Sequence, residues 1–426
     1  MHSWPMPFLP ELPGHGPAVR VHDTRTGTMI SLGDRPVVTM YVCGITPYDA
    51  THMGHAATYV TFDVLGRAVR DAGQQIRFVQ NVTDVDDPLL ARAVRDGLDW
   101  TRLAHRETAV FREDMTALGV IPPDHYLGVT ESISGIVHAV ERLLADGTAY
   151  RLENSDIADV PDGVAAGDSA DIYLDITQRP GFGDVSGLGR DQMLQLFAEC
   201  GGDPERAGKR DPLDPLLWRA ERLGEPCWEG GELGKGRPGW HIECTVIANE
   251  FLGVPFTVQG GGSDLIFPHH EMSAVQGCAL GGTDQFAEVY MHQAMVGYQG
   301  EKMSKSKGNL VLVSDLRRSG VDPVAIRLAL LARHYRTDWE WTDTDLQTAQ
   351  ARLTAWRSAL ARNGGPASER AVATIRERIA DDLDTPGALA AVDAWAAIAE
   401  TGAGGELPGG PGLIARALDR LLGVRV

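Results

Sequence analysis

The stretch YVCGITPYDATHMGHAATY, Tyr41–Tyr59, decides the fold of this chain. The run VVTMYV, Val37–Val42, leads into it without a glycine or proline, and such an apolar run predicts a buried strand. Gly44 and Pro47 then indicate a loop, after which a helical pattern begins. In an open α/β sheet this order places the amides of a helix start at the carboxyl edge of the strands, where anionic ligands bind. We therefore expect a doubly wound parallel sheet with a ligand site at this edge.

Length and composition indicate a protein of two or three domains. A chain of 426 residues is too long for one ordinary core. Its start, MHSWPMPFLPELPG, has neither a basic region nor a sustained apolar run, and no later segment approaches membrane-spanning length. We expect a cytoplasmic monomer that does not contact a membrane.

The cysteines do not form a disulfide pattern. Their number is odd, they are widely spread, and no CxxC pair occurs. Reduced thiols or metal ligands are the expected uses of the five residues Cys43, Cys200, Cys227, Cys244 and Cys278.

The charge of the chain argues against nucleic acid as a partner. The formal net charge is −19, whereas binding to a polyanion needs a basic surface. A local basic patch on an acidic protein remains the alternative. Of the 39 basic residues only 5 are lysines, and three of these lie in EKMSKSKGN, which indicates a specific need for ammonium groups there.

The chain divides into four parts by pattern. Residues 1–121 predict β, α, β, α, the first half of a Rossmann-like catalytic domain. Residues 122–236 contain one clear helix, an acidic stretch and Gly/Pro-rich connections, which indicates an insertion. The sheet pattern resumes over 237–342, where EVYMHQAMVGY is predicted as one strand, and 343–426 predict a helical bundle.

The motif HMGH holds the first pair of candidate site residues, His52 and His55. An isolated HxGH is more often two polar residues at a helix start. Here a strand precedes it and a helix follows, and a spacing of three lets both rings face one ligand. The rings can then donate hydrogen bonds to phosphate oxygens, with Gly54 leaving room for a ribose or adenine.

The motif KMSKS holds the second pair, Lys302 and Lys305. A solvated charge run is the ordinary interpretation of such a sequence. Its position after a strand, between Gly300 and Gly308, favours a loop whose ammonium groups neutralise a pyrophosphate. HxGH followed by KMSKS resembles the class I aminoacyl-tRNA synthetases, which implies activation of an amino-acid carboxylate by ATP, with Mg²⁺, to an acyl adenylate.

Two further stretches, GWHIEC and GGGSDLIFPHHE, bring thiol and imidazole groups to the second half of the sheet. Core thiols are the alternative for Cys43 and Cys244, because ligands some 200 residues apart lack zinc-finger spacing. Cys43, however, ends a strand at the expected ligand edge. Two thiolates and one imidazole suit Zn²⁺, and an open fourth position would make a binding site for a substrate thiolate.

Seven motifs resemble the cysteinyl-tRNA synthetases and their relatives: CGITPYD, NVTDVDD, DPLDPLLW, GRPGWHIEC, GGGSDLIFPHHE, KMSKSKGN and HYR. The resemblance implies one Zn²⁺ per chain, held by Cys43, Cys244 and His269. A glutamate ligand of the synthetases is replaced by Ser273. The resemblance also implies adenylate contacts by Cys43, Gly44, Ile45, Thr46, Thr58, Asn81, Val82, Thr83, Trp240, Gly262, Ser263, Asp264 and Val296.

Several departures from the synthetase pattern instead resemble the mycothiol-pathway cysteine ligases. These are Pro47, Ala57, Pro88, ECGGDP before GKRDPLDPLLW, and the tryptophans of HYRTDWEW. That resemblance implies L-cysteine, ATP and glucosaminyl-inositol as substrates, joined through cysteinyl-AMP without tRNA. It leaves Cys200 unexplained, because those ligases have arginine there.

Three alternatives stay open at this point. They are a cysteinyl-tRNA synthetase, a noncatalytic sensor of cysteine or adenylate, and a simple nucleotidyltransferase that uses only HxGH. The ammonium group of an amino sugar has three candidate carboxylate partners, Asp84, Asp86 and Asp264, and each is equally explained as a helix cap or a structural hydrogen-bond partner.

Overall fold

The computed structural model describes residues 1–154, 170–303, 309–402, 405 and 407–426. The helices are α1 Met53–Asp71, α2 Asp87–Asp96, α3 Trp100–Ala117, α4 Ile133–Ala145, α5 Arg190–Glu199, α6 Trp240–Leu252, α7 Glu271–Gly281, α8 Val313–Arg318, α9 Pro323–Leu331, α10 Asp343–Leu360, α11 Glu369–Ala380, α12 Thr385–Thr401 and α13 Gly410–Leu422. The strands are β1 Arg20–Asp23, β2 Thr28–Ser31, β3 Val37–Val42, β4 Gln75–Val82, β5 His125–Gly128, β6 Ala149–Leu152, β7 Asp171–Leu174, β8 Leu216–Ala220, β9 Gly236–Pro238, β10 Phe256–Gly262, β11 Ala287–Gln293, β12 Val296–Tyr298, β13 Glu301–Lys302, β14 Trp339–Glu340, β15 Gly364–Gly365 and β16 Leu407–Pro408.

A five-stranded parallel sheet forms the centre of the molecule, in the order β11-β10-β3-β4-β5. The first strand in sequence, β3, lies in the middle, and its ladder with β10 pairs Met40 with Val258. The chain then extends the sheet through β4 and β5 on one side and through β10 and β11 on the other. The order therefore reverses between β3 and β10, which is where a doubly wound sheet binds its ligand.

Both faces of the sheet are covered, as the doubly wound pattern predicts. On one face α1 packs against β4, β10 and β11, and on the other α6 packs against β3 and β4. Strand β3 has the predicted bounds, because its apolar run contains no breaker. Every helix in the described residues is too short or too polar to span a lipid bilayer.

The predicted single strand EVYMHQAMVGY is wrong, because the chain leaves the sheet in its middle. It forms β11 and then β12, which pairs with β13 and β14 in a separate three-stranded sheet. The cause lies at Ala294 and Met295. The Ala294 amide donates to the Tyr335 carbonyl at 2.7 Å, and the Met295 amide donates to Asp338 Oδ1 at 2.8 Å.

The segment between β5 and α6 forms its own antiparallel sheet, in the order β6-β7-β8-β9. Helix α4 packs beside β6 and also against α6, so this sheet is attached to the side of the central one. The acidic stretch begins at Glu153, and from residue 155 onward it lies outside the described residues.

The C-terminal helices pack onto the same core as the sheet. Buried side chains of α1, α9, α10, α12 and α13 belong to one continuous apolar cluster. On α10 the inner face is apolar: Ala349, Leu353 and Trp356 are buried, and Leu346 and Leu360 pack at its margin.

A buried cluster of charges joins this bundle to the sheet domain. Asp63 of α1 accepts from Arg67 Nε at 2.7 Å, from Arg327 of α9, and from the Ile121 amide at 2.8 Å. Burial opposes ionisation of Asp63, but the two guanidinium groups outweigh it and hold the pKa of the carboxyl below its usual range. The arginines also donate to carbonyls at helix ends, including Gly119 and Leu422.

We expect Arg327→Met to lower the free energy of unfolding by about 3–5 kcal/mol, because it leaves a buried carboxylate short of a partner. Arg20→Ala is the control, since its ion pair with Asp381 is exposed and such pairs contribute about 0–1 kcal/mol. Urea denaturation of the three proteins measures the difference. Equal losses for the two variants would contradict a structural role for the buried cluster.

Candidate active site

A cleft opens at the carboxyl ends of β3, β4, β10 and β11, at the point where the strand order reverses. Its empty volume, open mouth included, is about 970 Å³. The lining residues are Cys43, Gly44, Ile45, Thr46, Tyr48, His52, Gly54, His55, Thr58, Tyr59, Thr83, Trp240, Cys244, Gly262, Asp264, Leu265, His269, Gln293, Ala294, Met295, Val296 and Met303.

The loop after β3 is held close to the end of β4. The Gly44 amide donates to Asn81 Oδ1 at 2.8 Å, and Asn81 Nδ2 donates to Thr83 Oγ1 at 3.1 Å. A Cβ at Gly44 would lie 1.6 Å from the Asn81 carbonyl oxygen, so only glycine allows this approach. Asn81 therefore shapes the floor of the cleft from behind the loop.

The two HMGH histidines stand at the start of α1. His52 is the N-cap, and its Nδ1 accepts from the Gly54 amide at 3.1 Å and the His55 amide at 3.4 Å. An accepting Nδ1 leaves the proton of the neutral ring on Nε2, so that nitrogen is a donor. The rings of His52 and His55 stack with centroids 3.8 Å apart. His52 can therefore cap α1 through Nδ1 and still offer Nε2 to a ligand.

The His52 ring occupies the space beside Gly54. A Cβ there would come within 2.9 Å of His52 Cε1, so a larger residue would push the cap out of place. Gly54 also lines the cleft, which leaves the predicted approach of a ribose or adenine open.

A cluster of Cys43, Cys244 and His269 lies at the inner end of the cleft. One ligand atom from each residue lies within 4.8 Å of the others, and all three residues are buried. The hydrogen bond with Cys43 and the nearby His269 ring hold the pKa of Cys244 well below its usual range despite burial. Burial and the Cys244 sulfur raise the pKa of Cys43. A cation between the sulfurs would favour both as thiolates, so the donors fit a metal ion.

Polar neighbours orient this cluster. The ring of His269 lies beside that of His241, with the two Nδ1 atoms 3.1 Å apart. Cys43 Sγ is 3.3 Å from Nε2 of His270, whose Nδ1 is 2.7 Å from His292 Nε2. Such contacts fix ring orientation around a metal site.

Ser273 does not join the three donor residues. Its hydroxyl donates to the His241 carbonyl at 3.3 Å and so helps to pack α7 against α6. The expectation of three protein ligands agrees with this arrangement.

Comparisons with known proteins place the chain in a family. The model of the class I (C) tRNA synthetase catalytic domain matches residues 30–351. A ligase of Sanguibacter keddieii is 58% identical over 431 residues, covering 100% of both chains, and one of Streptomyces griseus is 58% identical over 424 residues with the same coverage. Both are named L-cysteine:1D-myo-inositol 2-amino-2-deoxy-alpha-D-glucopyranoside ligase. The chain belongs to this ligase family.

Solved structures agree on the fold. Mycobacterium tuberculosis methionyl-tRNA synthetase in complex with methionyl-adenylate has a TM-score of 0.57 at 16% identity, covering 85% of this chain and 82% of its own. The ternary complex of an Agrobacterium radiobacter K84 LeuRS has a TM-score of 0.56 at 12% identity, covering 99% and 84%. The class I synthetase architecture expected from the sequence is thereby confirmed for this ligase-family member.

Most of the residues predicted for the site lie together in the cleft. Three do not line it: Asn81 and Val82 are buried behind the loop, and Ser263 lies beside it. Lys305 lies outside the described residues, and of Lys302 only the backbone, in β13, is described. The prediction for the KMSKS side chains stays a prediction.

Sequence reasoning missed several residues of the cleft. Gln293 ends β11, and Ala294 and Met295 follow it; all three would have been found by following the carboxyl edge one strand further. Tyr48 lies in the CGITPYD motif but offered no local signal.

The three candidate carboxylates lie in different environments. Asp84 accepts from the Thr130 amide at 3.0 Å and from its hydroxyl at 2.7 Å, so it is a structural partner. Asp264 lines the cleft. Asp86 caps α2 through the Asp87 amide at 2.8 Å and faces a neighbouring cavity.

We expect His52→Asn to separate the two uses of this side chain. Asparagine caps helices well, so stability should change by less than about 0.5 kcal/mol, whereas His52→Ala should lose about 1 kcal/mol. Both variants lack the Nε2 donor, so ATP–pyrophosphate exchange should fall by roughly 10²-fold or more. Full exchange activity in His52→Asn would show that His52 is only a cap.

Proposed function

We propose that this chain uses ATP to activate L-cysteine as cysteinyl-AMP and joins it to the 2-amino group of glucosaminyl-inositol in mycothiol biosynthesis. The observation that carries the proposal is the buried Cys43, Cys244 and His269 cluster beside the two HMGH rings. A thiol-selective donor set and a phosphate-binding helix start share one cleft. Relatives 58% identical over their whole length carry the name of this ligase.

Zinc is the metal that fits the cluster. Two cysteine sulfurs and one imidazole nitrogen are typical zinc ligands, and three protein ligands leave a fourth position open. When bound, Zn²⁺ would hold the substrate cysteine by its thiolate and discriminate against the hydroxyl of serine. Cys43, Cys244 and His269 therefore select the amino acid.

The residues at the other end of the cleft act on ATP. The Nε2 donor of His52 and the ring of His55, together with the ammonium groups of Lys302 and Lys305, stabilise charge on the phosphates, and Mg²⁺ accompanies the ATP. A carboxylate oxygen of cysteine attacks the α-phosphorus, and the bond to pyrophosphate breaks. The chain contributes positioning and shields the mixed anhydride from water.

In the second step the neutral amine of glucosaminyl-inositol attacks the carbonyl carbon. An amide bond forms, AMP leaves, and the amine loses a proton. The remaining residues proposed to contact the adenylate lie mostly on the lining of the cleft, at strand ends and helix starts: Gly44, Ile45, Thr46, Thr58, Thr83, Trp240, Gly262, Asp264 and Val296.

The charge of the chain supports a sugar acceptor over tRNA. The net charge is −19, and the segment from residue 343 onward has nine arginines, no lysine and eleven acidic residues. Phosphate contacts of a tRNA require clustered basic residues, whereas an amino sugar requires none. The proposal includes a monomer that acts in the cytoplasm without nucleic acid.

The acceptor assay tests the function directly. Purified protein is incubated with ATP and cysteine and with either glucosaminyl-inositol or tRNA. We expect amide formation with the sugar and no comparable charging of tRNA. Efficient cysteinyl-tRNA formation would favour the synthetase instead, and cysteine binding without pyrophosphate exchange would favour a sensor.

Variants of the cysteines test the metal. We expect Cys244→Ala and Cys43→Ala to lose stoichiometric zinc and cysteine-dependent exchange together, because each removes one of three protein ligands. Cys278→Ala is the matched control, since burial raises the pKa of this thiol to about 11 and it lies outside the cluster. Lys305→Ala should keep zinc but lose exchange.

Metal content is measured by mass spectrometry of the purified proteins. Full zinc and full exchange in Cys43→Ala would contradict the ligand assignment. A wild-type protein without zinc would revive the simple nucleotidyltransferase.

A further inference from the structure

A second cleft opens beside the first and shares part of its wall. Thr46, Tyr48 and Trp240 line both. Its empty volume, open mouth included, is about 1640 Å³, which leaves ample room for a molecule of two rings. The two clefts therefore adjoin at these three residues.

The second cleft lies between the sheet domain and the inserted sheet. One wall consists of the start of α2, with Asp86 to Pro88, and the start of α6, with Trp240 and His241. The opposite wall comes from the end of α5 and the following turn, Phe197 to Asp203. The insertion thus completes a space that the sheet domain only half encloses.

The turn after α5 is a rigid wall. Gly201 has φ +86°, and a Cβ at Gly202 would lie 2.6 Å from the Phe197 ring, so two glycines are required in succession. Asp203 anchors the turn, since its carboxylate accepts from Lys209 Nζ at 2.9 Å and from the Tyr173 hydroxyl at 2.5 Å. The sequence ECGGDP therefore encodes a fixed surface.

The charges of the second cleft suit a cation with hydroxyl groups. Four carboxylates, those of Asp86, Asp87, Glu199 and Asp203, face two guanidiniums, those of Arg219 and Arg237. Both arginines already pair with Asp87 and with Glu225. A wall with more negative than positive groups disfavours a phosphodiester chain and favours an amine.

Asp86 is the carboxylate best placed for such an amine. In the described part of the chain it forms no ion pair, and burial raises its pKa to about 6. An ionised carboxylate in this setting gains from a cationic partner. The pKa of Tyr48 is raised by burial and then by Asp86 and Asp264, so Tyr48 stands near both carboxylates where the clefts meet.

We propose that the second cleft is the acceptor subsite of the enzyme, with the amine held at the Asp86 and Tyr48 edge and the polyhydroxyl ring against the turn at Cys200. The ring faces Phe197 and the polar groups of Glu199 and Arg219. The occupant is an amino sugar joined to a cyclitol, with its amine protonated on binding, and this assignment rests on the proposed function. It also gives Cys200 a place, as an exposed residue on the subsite wall.

Two variants test the subsite on the zinc-loaded full chain. Asp86→Asn keeps the α2 cap but removes the negative charge. Cys200→Trp places a larger side chain on the opposite wall and so narrows the second cleft. We expect both variants to raise KM for glucosaminyl-inositol by about 10-fold or more. The first loses a charge-assisted hydrogen bond to the amine, and the second loses space for the ring. Cysteine-dependent ATP–pyrophosphate exchange, measured without acceptor, should stay within about 2-fold of wild type, because neither side chain lines the first cleft.

Asp99→Asn is the matched control. Asp99 caps α3 by accepting from the Arg102 amide at 3.0 Å, and it lies outside both clefts. It should change neither KM nor exchange. Unchanged KM in both test variants would overturn the subsite, as would a loss of exchange as large as the loss of ligation. If the wild type formed no amide with glucosaminyl-inositol, the proposed function itself would fail, and the subsite with it.

Discussion

The parallel pairing of β3 with β10 is the constraint on which the site depends. It joins two parts of the chain separated by more than 200 residues, and the ladder continues past β3 because the Cys43 amide donates to the Gly260 carbonyl at 3.0 Å. That bond fixes the height of Cys43 above the sheet. Helix α6, which packs on β3 and on its other neighbour β4, then brings Cys244 to it. The candidate metal ligands are thus brought together by strand register rather than by local motif spacing.

Sequence reasoning succeeded where the deciding interactions are local. Strand β3 was predicted with its observed bounds because an uninterrupted apolar run favours a buried strand. It failed at Ala294 and Met295, where two amides bond to partners some forty residues away. Asp63 was missed for a similar reason. Within a helical pattern a charged residue is expected to face solvent, and only the tertiary positions of Arg67 and Arg327 make its burial possible.

The candidate site shows the same division. The motifs predicted the histidine pair and the sulfur and imidazole groups, which lie in one cleft, but they did not distinguish Asp84 from Asp86. A hydroxyl and an amide of Thr130, on another segment, occupy Asp84 and leave Asp86 as the one that faces a cavity. The four-part division of the chain stays a prediction, although the bundle and sheet share one apolar core.

The hydrogen bonds of the N-cap orient the His52 ring before a ligand binds. Because the backbone amides of α1 already hold His52 Nδ1, the ring is immobilised by the helix before any nucleotide arrives. A side chain frozen in advance loses little rotamer entropy when it meets a ligand. Its remaining nitrogen can therefore act as a fixed dipole rather than as a group that reorients during the reaction.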